Sequence, residues 1–168
     1  MHKNDMNTLF SSVKMDWATP QGFFDRLNNR YAFNLDPCAS ANNAKCKRFF
    51  TEDDDGLSKD WSEGASEDNP VSAFVNPPYG RKIKDWVKKC FEESRNPHTK
   101  VVLLIPSRTD TKYWHDYCMK ADHIYFVKGR LKFGESKNSA PFPSAVVVFD
   151  KGNNTIYCQT QPMFLEGQ

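Results

Sequence analysis

The sequence predicts one α/β domain built on a mainly parallel sheet, and three observations carry that prediction. Short β-rich runs alternate with amphipathic helical segments along most of the chain. Residues 101–105, Val-Val-Leu-Leu-Ile, form a continuous apolar run, the pattern of a strand covered on both faces. A length of 168 residues with 39% hydrophobic and 26% charged residues suits a single core and excludes wholesale disorder.

The elements follow in order. Residues 1–15 have no clear period and are expected to be a flexible arm, the domain proper spanning 16–160 and a tail 161–168. Thr19 is positioned to N-cap a helix whose first residue is Pro20, with Phe23, Phe24 and Leu27 on one face. Residues 31–35 read as a short strand ending at Asp36-Pro37, and residues 48–51 as another. Residues 71–75 form a third strand, stopped by Asn76-Pro77-Pro78 because proline cannot donate to a sheet ladder. From 81 to 93 the apolar residues Ile83, Trp86, Val87, Cys90 and Phe91 fall at i, i+3, i+4, i+7 and i+8, which is one face of a helix. A second helix over 110–120 is expected to bury Tyr113, Trp114, Tyr117 and Cys118. Residues 123–127 and 145–149 are further strands, with a last short one at 155–159. Residues 52–70 and 134–143 are polar enough to be long loops. Sheets of this kind bind ligands at the carboxyl ends of their strands.

Charge and cysteine content narrow the functions. Twenty-three Lys and Arg against 21 Asp and Glu leave a net charge of only +2, so any nucleic-acid footprint must be local. The five cysteines are odd in number, and neither they nor the four histidines have zinc-ligand spacing; no metal site is expected. No apolar run is long enough to span a membrane, and the first fifteen residues lack the apolar stretch of a signal peptide, so a soluble intracellular protein is expected.

The chemistry concentrates at Asn76-Pro77-Pro78-Tyr79. Leaving the sheet there, the chain holds the Asn76 side chain and the Pro77 carbonyl rigidly toward the cleft, with an aromatic ring two residues on. Two acceptors and a stacking face suit a planar amine that must become nucleophilic. Accepting its two N–H protons favours a pyramidal nitrogen with a localised lone pair, which is stabilisation by fixed dipoles. Tyr79 can stack on a base that has left the duplex.

This motif resembles the catalytic tetrapeptide of S-adenosylmethionine-dependent amino methyltransferases. Trp17-Ala18-Thr19-Pro20 resembles the N-terminal cofactor segment of that group, and Leu35-Asp36-Pro37-Cys38-Ala39-Ser40 its cofactor motif, in the gamma-type order. Glu52-Asp53-Asp54-Asp55-Gly56-Leu57 with Trp61, Pro106-Ser107-Arg108-Thr109-Asp110-Thr111, and Gly129-Arg130-Leu131-Lys132-Phe133 resemble the compact phage and prophage DNA N6-adenine methyltransferases of the Dam family. The resemblance covers about residues 16–150. It implies a doubly wound, Rossmann-like class I methyltransferase domain without a separate target-recognition domain, and direct transfer of a methyl group to N6 of a flipped adenine in DNA.

By that resemblance Asn76 and Pro77 bind the adenine amino group, with Pro78 completing the turn and Tyr79 stacking on the base. Trp17, Thr19, Pro20, Asp36, Pro37, Cys38, Ala39 and Asn76 surround the S-adenosylmethionine. No covalent intermediate is implied, so Cys38 need not be a nucleophile. The segment Asp36 to Ser40 departs from the usual pattern in having no glycine, with small Ala39, Ser40 and Ala41 in its stead. An acidic side chain near the end of the second strand commonly accepts the cofactor ribose hydroxyls. Asp53 is taken for that role, the other reading of 52–55 being a solvated loop. DNA contacts are expected from Arg81, Lys82, Arg108, Lys128, Arg130, Lys132 and Phe133. Phe133 and Phe142 either pack on the flipped base or close the core.

Double-stranded DNA, a monomer and a cytoplasmic location (the host's, for a phage-encoded chain) complete the expectation. Sequence preference would be short and set by residues 52–70 and 128–143. Cytosine N4, RNA or a protein side chain remain as alternative acceptors, and an inactive nucleic-acid-binding relic as an alternative class.

Overall fold

A computed structural model of the chain describes residues 17–150 and the backbone of 159–163. The expected N-terminal arm lies outside the described residues, as do 155–158 of the expected last strand.

Helix α1 spans Gln21–Tyr31 and buries Phe23, Phe24, Leu27 and Tyr31. Tyr31, expected to open a strand, instead continues the face begun by Leu27, four residues earlier. The helix stops at Ala32, whose left-handed backbone (φ 49°) returns its N–H to the carbonyl of Asn28. The Asn28 side chain accepts the next N–H, from Phe33, at 2.8 Å. At the other end Pro20, not Thr19, is the capping residue, and no side chain caps the helix.

Strands β1 (Leu35–Asp36), β2 (Arg48–Phe49) and β3 (Val71–Val75) precede helix α2 (Ile83–Glu93). Then come β4 (Thr99–Pro106), helix α3 (Lys112–Asp116), a 3-10 turn (Cys118–Lys120), β5 (His123–Val127), β6 (Ser144–Asp150) and β7 (Gln159–Met163). The helix expected over 110–120 is thus broken at Tyr117, which adopts φ −128° and ψ −53°. Strand β7 runs three residues into the expected tail.

The seven described strands form one sheet in the order β2-β1-β3-β4-β6-β5-β7. The sheet is mixed. β2, β1, β3 and β4 pair parallel, whereas β6 is antiparallel to both β4 and β5, and β5 pairs parallel with β7. The loop 128–143, which contains no helix, turns the chain back from β5 into β6, so no crossover helix is available there to make β6 parallel.

Side chains alternate across each strand and build two cores. Phe74, Val102, Leu104 and Val146 face α1, while Ala73, Val75, Val101, Leu103 and Ile105 face α2 and α3. Both faces are covered, which explains the unbroken apolar run in β4. Among the described residues no helix is long and apolar enough to cross a membrane. Because β1, β3, β4 and β5 point the same way, the chain segments that follow them all emerge at one edge of the sheet.

Candidate active site

A cavity of about 820 Å³ opens at that carboxyl edge. Four segments wall it: Trp17 to Thr19, the loop after β1 from Asp36 to Ala41 with Asn43 and Lys45, the loop after β2 with Glu52, Asp53, Asp55, Gly56 and Leu57, and Asn76, Pro78, Lys82 and Trp86.

Asp36 ends β1 and is only 4% exposed. Its two carboxylate oxygens accept the backbone N–H of Cys38 (3.3 Å) and of Lys45 (3.0 Å), cinching the loop between them. Burial raises its carboxyl above the ordinary value, and those two N–H groups partly oppose the shift. Burial, aided by the charges of Asp36 and Glu52, pushes the Cys38 thiol up to about 12. A thiol held protonated is a poor nucleophile.

The glycine missing from this loop arrives from elsewhere in the chain. Gly56 packs so closely that a Cβ there would meet the Pro37 carbonyl oxygen at 2.0 Å and the Trp86 ring at 3.1 Å. Its own carbonyl accepts the indole N–H of fully buried Trp61 at 2.8 Å, and Trp61 stacks on Trp86. The signal was present as Gly56 and Trp61 in the acidic segment, but their tie to Pro37 spans nineteen residues and has no sequence period.

Within the acidic run Asp54 is committed locally. One of its carboxylate oxygens accepts both the N–H and the hydroxyl of Thr51, which lowers its pKa. Glu52, Asp53 and Asp55 line the cavity instead.

Asn76 stands where the cavity meets a second feature. Its amide nitrogen donates to the Trp17 carbonyl (2.7 Å) and to the Thr19 hydroxyl (2.9 Å). Thr19 therefore orients Asn76 rather than capping α1. With both amide protons engaged, the Asn76 oxygen is fixed as an acceptor, and it takes the Tyr79 hydroxyl at 2.6 Å. That phenol also lies 3.3 Å from the Leu104 carbonyl, and burial raises its pKa well above 10, so it remains a donor.

The Tyr79 ring belongs to an aromatic cluster with Trp17, Phe133 and Phe142. Centroid separations run from 5.2 Å for Trp17 and Phe142 to 6.1 Å for Tyr79 and Phe133. Phe133 is 2% exposed, so it is a wall of this cluster and not a surface contact. The Gly134 N–H bonds the Ala18 carbonyl at 2.8 Å, tying the loop after β5 to the segment that orients Asn76.

The remaining expected residues divide. Trp17, Thr19, Asp36, Pro37, Cys38, Ala39, Asp53 and Asn76 meet around the cavity, as does Lys82, which was expected to face DNA. Pro20 caps α1 and Pro77 is buried, both outside the cavity lining. Lys128, Arg130 and Lys132 are exposed on the loop after β5, with the Arg130 guanidinium bracing the Ala140 carbonyl at 3.3 Å. Arg108 leads toward α3, and Arg81 lines a separate groove beside α2.

Comparison with known proteins adds an independent finding. The family described as DNA N-6-adenine-methyltransferase (Dam) matches residues 6–158. The chain is 29% identical over 157 residues to a DNA N-6-adenine-methyltransferase of Haemophilus phage HP1 (strain HP1c1), covering 86% of each. It is 26% identical over 121 residues to a DNA N-6-adenine-methyltransferase of Escherichia phage T1, covering 71% of this chain and 48% of that one.

Proposed function

The chain belongs to the DNA N-6-adenine-methyltransferase (Dam) family, and from that premise we propose that it methylates N6 of an adenine flipped out of double-stranded DNA, with Asn76 and Tyr79 at the reacting amine. The observation that carries this assignment is the position of Asn76, which lines the large cavity and also hydrogen-bonds the ring cluster beside it. An acceptor on that boundary faces a donor pocket on one side and a base pocket on the other.

The cavity's chemistry fits S-adenosylmethionine. Glu52 and Asp53 offer carboxylates to ribose hydroxyls, Leu57, Trp86 and Cys38 offer apolar surface to an adenine ring, and Trp17 to Thr19 close the end nearest Asn76. When bound, that donor supplies a methyl group made electrophilic by its sulfonium. The three-layer arrangement, with helices on both faces of a sheet whose strands β1 to β4 run parallel, supports the doubly wound class I methyltransferase fold despite the reversed β6.

The chain's own residues then act as follows. The Tyr79 phenol fills the Asn76 acceptor in the absence of substrate, and an amine N–H takes its place. No described residue donates to the Pro77 carbonyl, which takes the second amine proton. Two fixed acceptors favour the pyramidal nitrogen without reorganisation at the moment of reaction. Tyr79, Trp17 and Phe142 supply ring faces that offset the unstacking of the base. The exposed cations of residues 128–132 border this pocket and suit the neighbouring phosphates.

Nucleoside mass spectrometry of duplex DNA incubated with S-adenosylmethionine tests the proposal. N6-methyladenine should form with the wild type and fall by roughly 10²- to 10³-fold with Asn76→Ala, the usual cost of removing one preorganised hydrogen-bonding group. Wild-type protein that methylates cytosine, or no base at all, would overturn it.

A further inference from the structure

A second concavity, of about 620 Å³, lies between α2 and α3 on the sheet face opposite α1. Its sides carry Arg81, Lys84, Lys88 and Lys112 against two acidic residues, Asp85 and Asp116. Asp116 is already tied to Lys112, and Lys88 pairs with Glu92, both members of that second pair being about half exposed. Among the described residues Arg81 and Lys84 have no ion-pair partner. Ile83, Tyr113 and Tyr117 form an apolar floor.

The groove's position decides what it can hold. It begins at Arg81, two residues after Tyr79, so its mouth is within about 7 Å of chain from the ring proposed to stack on the base. From there it descends α2, where Lys84 and Lys88 stand one turn apart, about 6 Å along the axis. A concave, cationic surface that starts at the target site and leads away from it complements a phosphate backbone. The apolar floor accommodates sugar faces. The exposed cations of residues 128–132 lie on the other side of Tyr79, which contacts both cores.

We propose that the α2–α3 groove holds the sugar-phosphate backbone of DNA flanking the flipped adenine, so that the duplex is gripped on both sides of Tyr79. The proposal rests on the functional reading above. It assigns Arg81 and Lys84 to the flank and separates them from Lys82, which faces the donor cavity.

Binding of a duplex extended on both sides of the target adenine, measured by fluorescence anisotropy over a series of salt concentrations, tests it. Each lost phosphate contact removes about 0.9 from the slope of log K against log salt. Arg81→Gln/Lys84→Gln, both at exposed positions, should make that slope shallower by about 1.8, while Lys120→Gln, beyond the far end of α3, leaves it unchanged. Of two duplexes that end at the target pair, one lacking the 5′ flank and one the 3′ flank, one should make the double variant match the wild type. A slope unchanged in the folded double variant overturns the groove, and so does an equal change on both short duplexes, which would mark a diffuse field and not a contact. Wild type that neither binds the duplex nor methylates it defeats the functional reading itself, a result distinct from either.

Discussion

The loops after β1 and after β3 leave the same edge of the sheet, and each opens on a side chain with two hydrogen-bonding ends. Asp36 spends both oxygens on its own loop, through the N–H groups of Cys38 and Lys45. Asn76 spends its two protons on a segment nearly sixty residues earlier and keeps its oxygen for the Tyr79 hydroxyl, which has a second acceptor in the Leu104 carbonyl. The first arrangement shapes a cavity wall. The second prepares an acceptor. The difference teaches that a polar residue at a strand's carboxyl end acquires its role from which of its atoms the fold has already satisfied.

The comparison breaks most visibly at Gly56. If the β1 loop is a rigid wall, Gly56→Ala forces a methyl group into the Pro37 carbonyl, which is backbone and cannot rotate aside. A loss of about 1–3 kcal/mol is expected from overpacking, read as a lower melting temperature together with weaker S-adenosylmethionine binding by calorimetry. Unchanged values for both would mean that the wall yields.

Tyr79 sharpens the other half. Removing its ring should cost about 1–3 kcal/mol of base stacking, so Tyr79→Ala is expected to raise KM for DNA by roughly tenfold or more. Tyr79→Phe keeps the ring and uncovers the Asn76 acceptor, and its activity should stay within about threefold of wild type. A collapse of kcat in the phenylalanine variant would show that the hydroxyl does more than occupy the acceptor.

The smallest effect is expected at Thr19. Thr19→Val deletes one of the two hydrogen bonds that orient the Asn76 amide, about 1 kcal/mol for a neutral pair. Its kcat should fall about fivefold, with little change in KM for DNA, and Thr19→Ser should restore it. Full activity with valine and a loss with serine would assign the effect to packing of the methyl group.

Much of this was legible in the chain. Short apolar runs located β3, β4, β5 and β6 because the sheet is covered on both faces, and a period of 3.6 located α2 because one face of that helix meets the sheet. The Asn76-Pro77-Pro78-Tyr79 turn was legible because two prolines end a strand wherever they occur. Tyr31 suits a strand as well as a helix face, being a β-prone aromatic, and its packing against Phe33 and Tyr125 is what the linear pattern does not contain. Local grammar places Thr19 at a helix cap, whereas its hydroxyl accepts from the Asn76 amide, 57 residues away.

The sequence by itself determined which segments become strands and helices, where the chain leaves the sheet, and that an amide, a ring and an acidic run would reach its carboxyl edge. Those are consequences of local sterics and of side-chain periodicity. Only the tertiary structure decided that β6 runs against its neighbours, that Gly56 supplies the close approach Pro37 requires, that Phe133 is a buried wall, and that Lys82 and Arg81, adjacent in the chain, face different concavities. Each of these depends on contacts between residues distant in sequence or on the direction a side chain leaves a helix end, and neither has a local signature for a linear reading to detect.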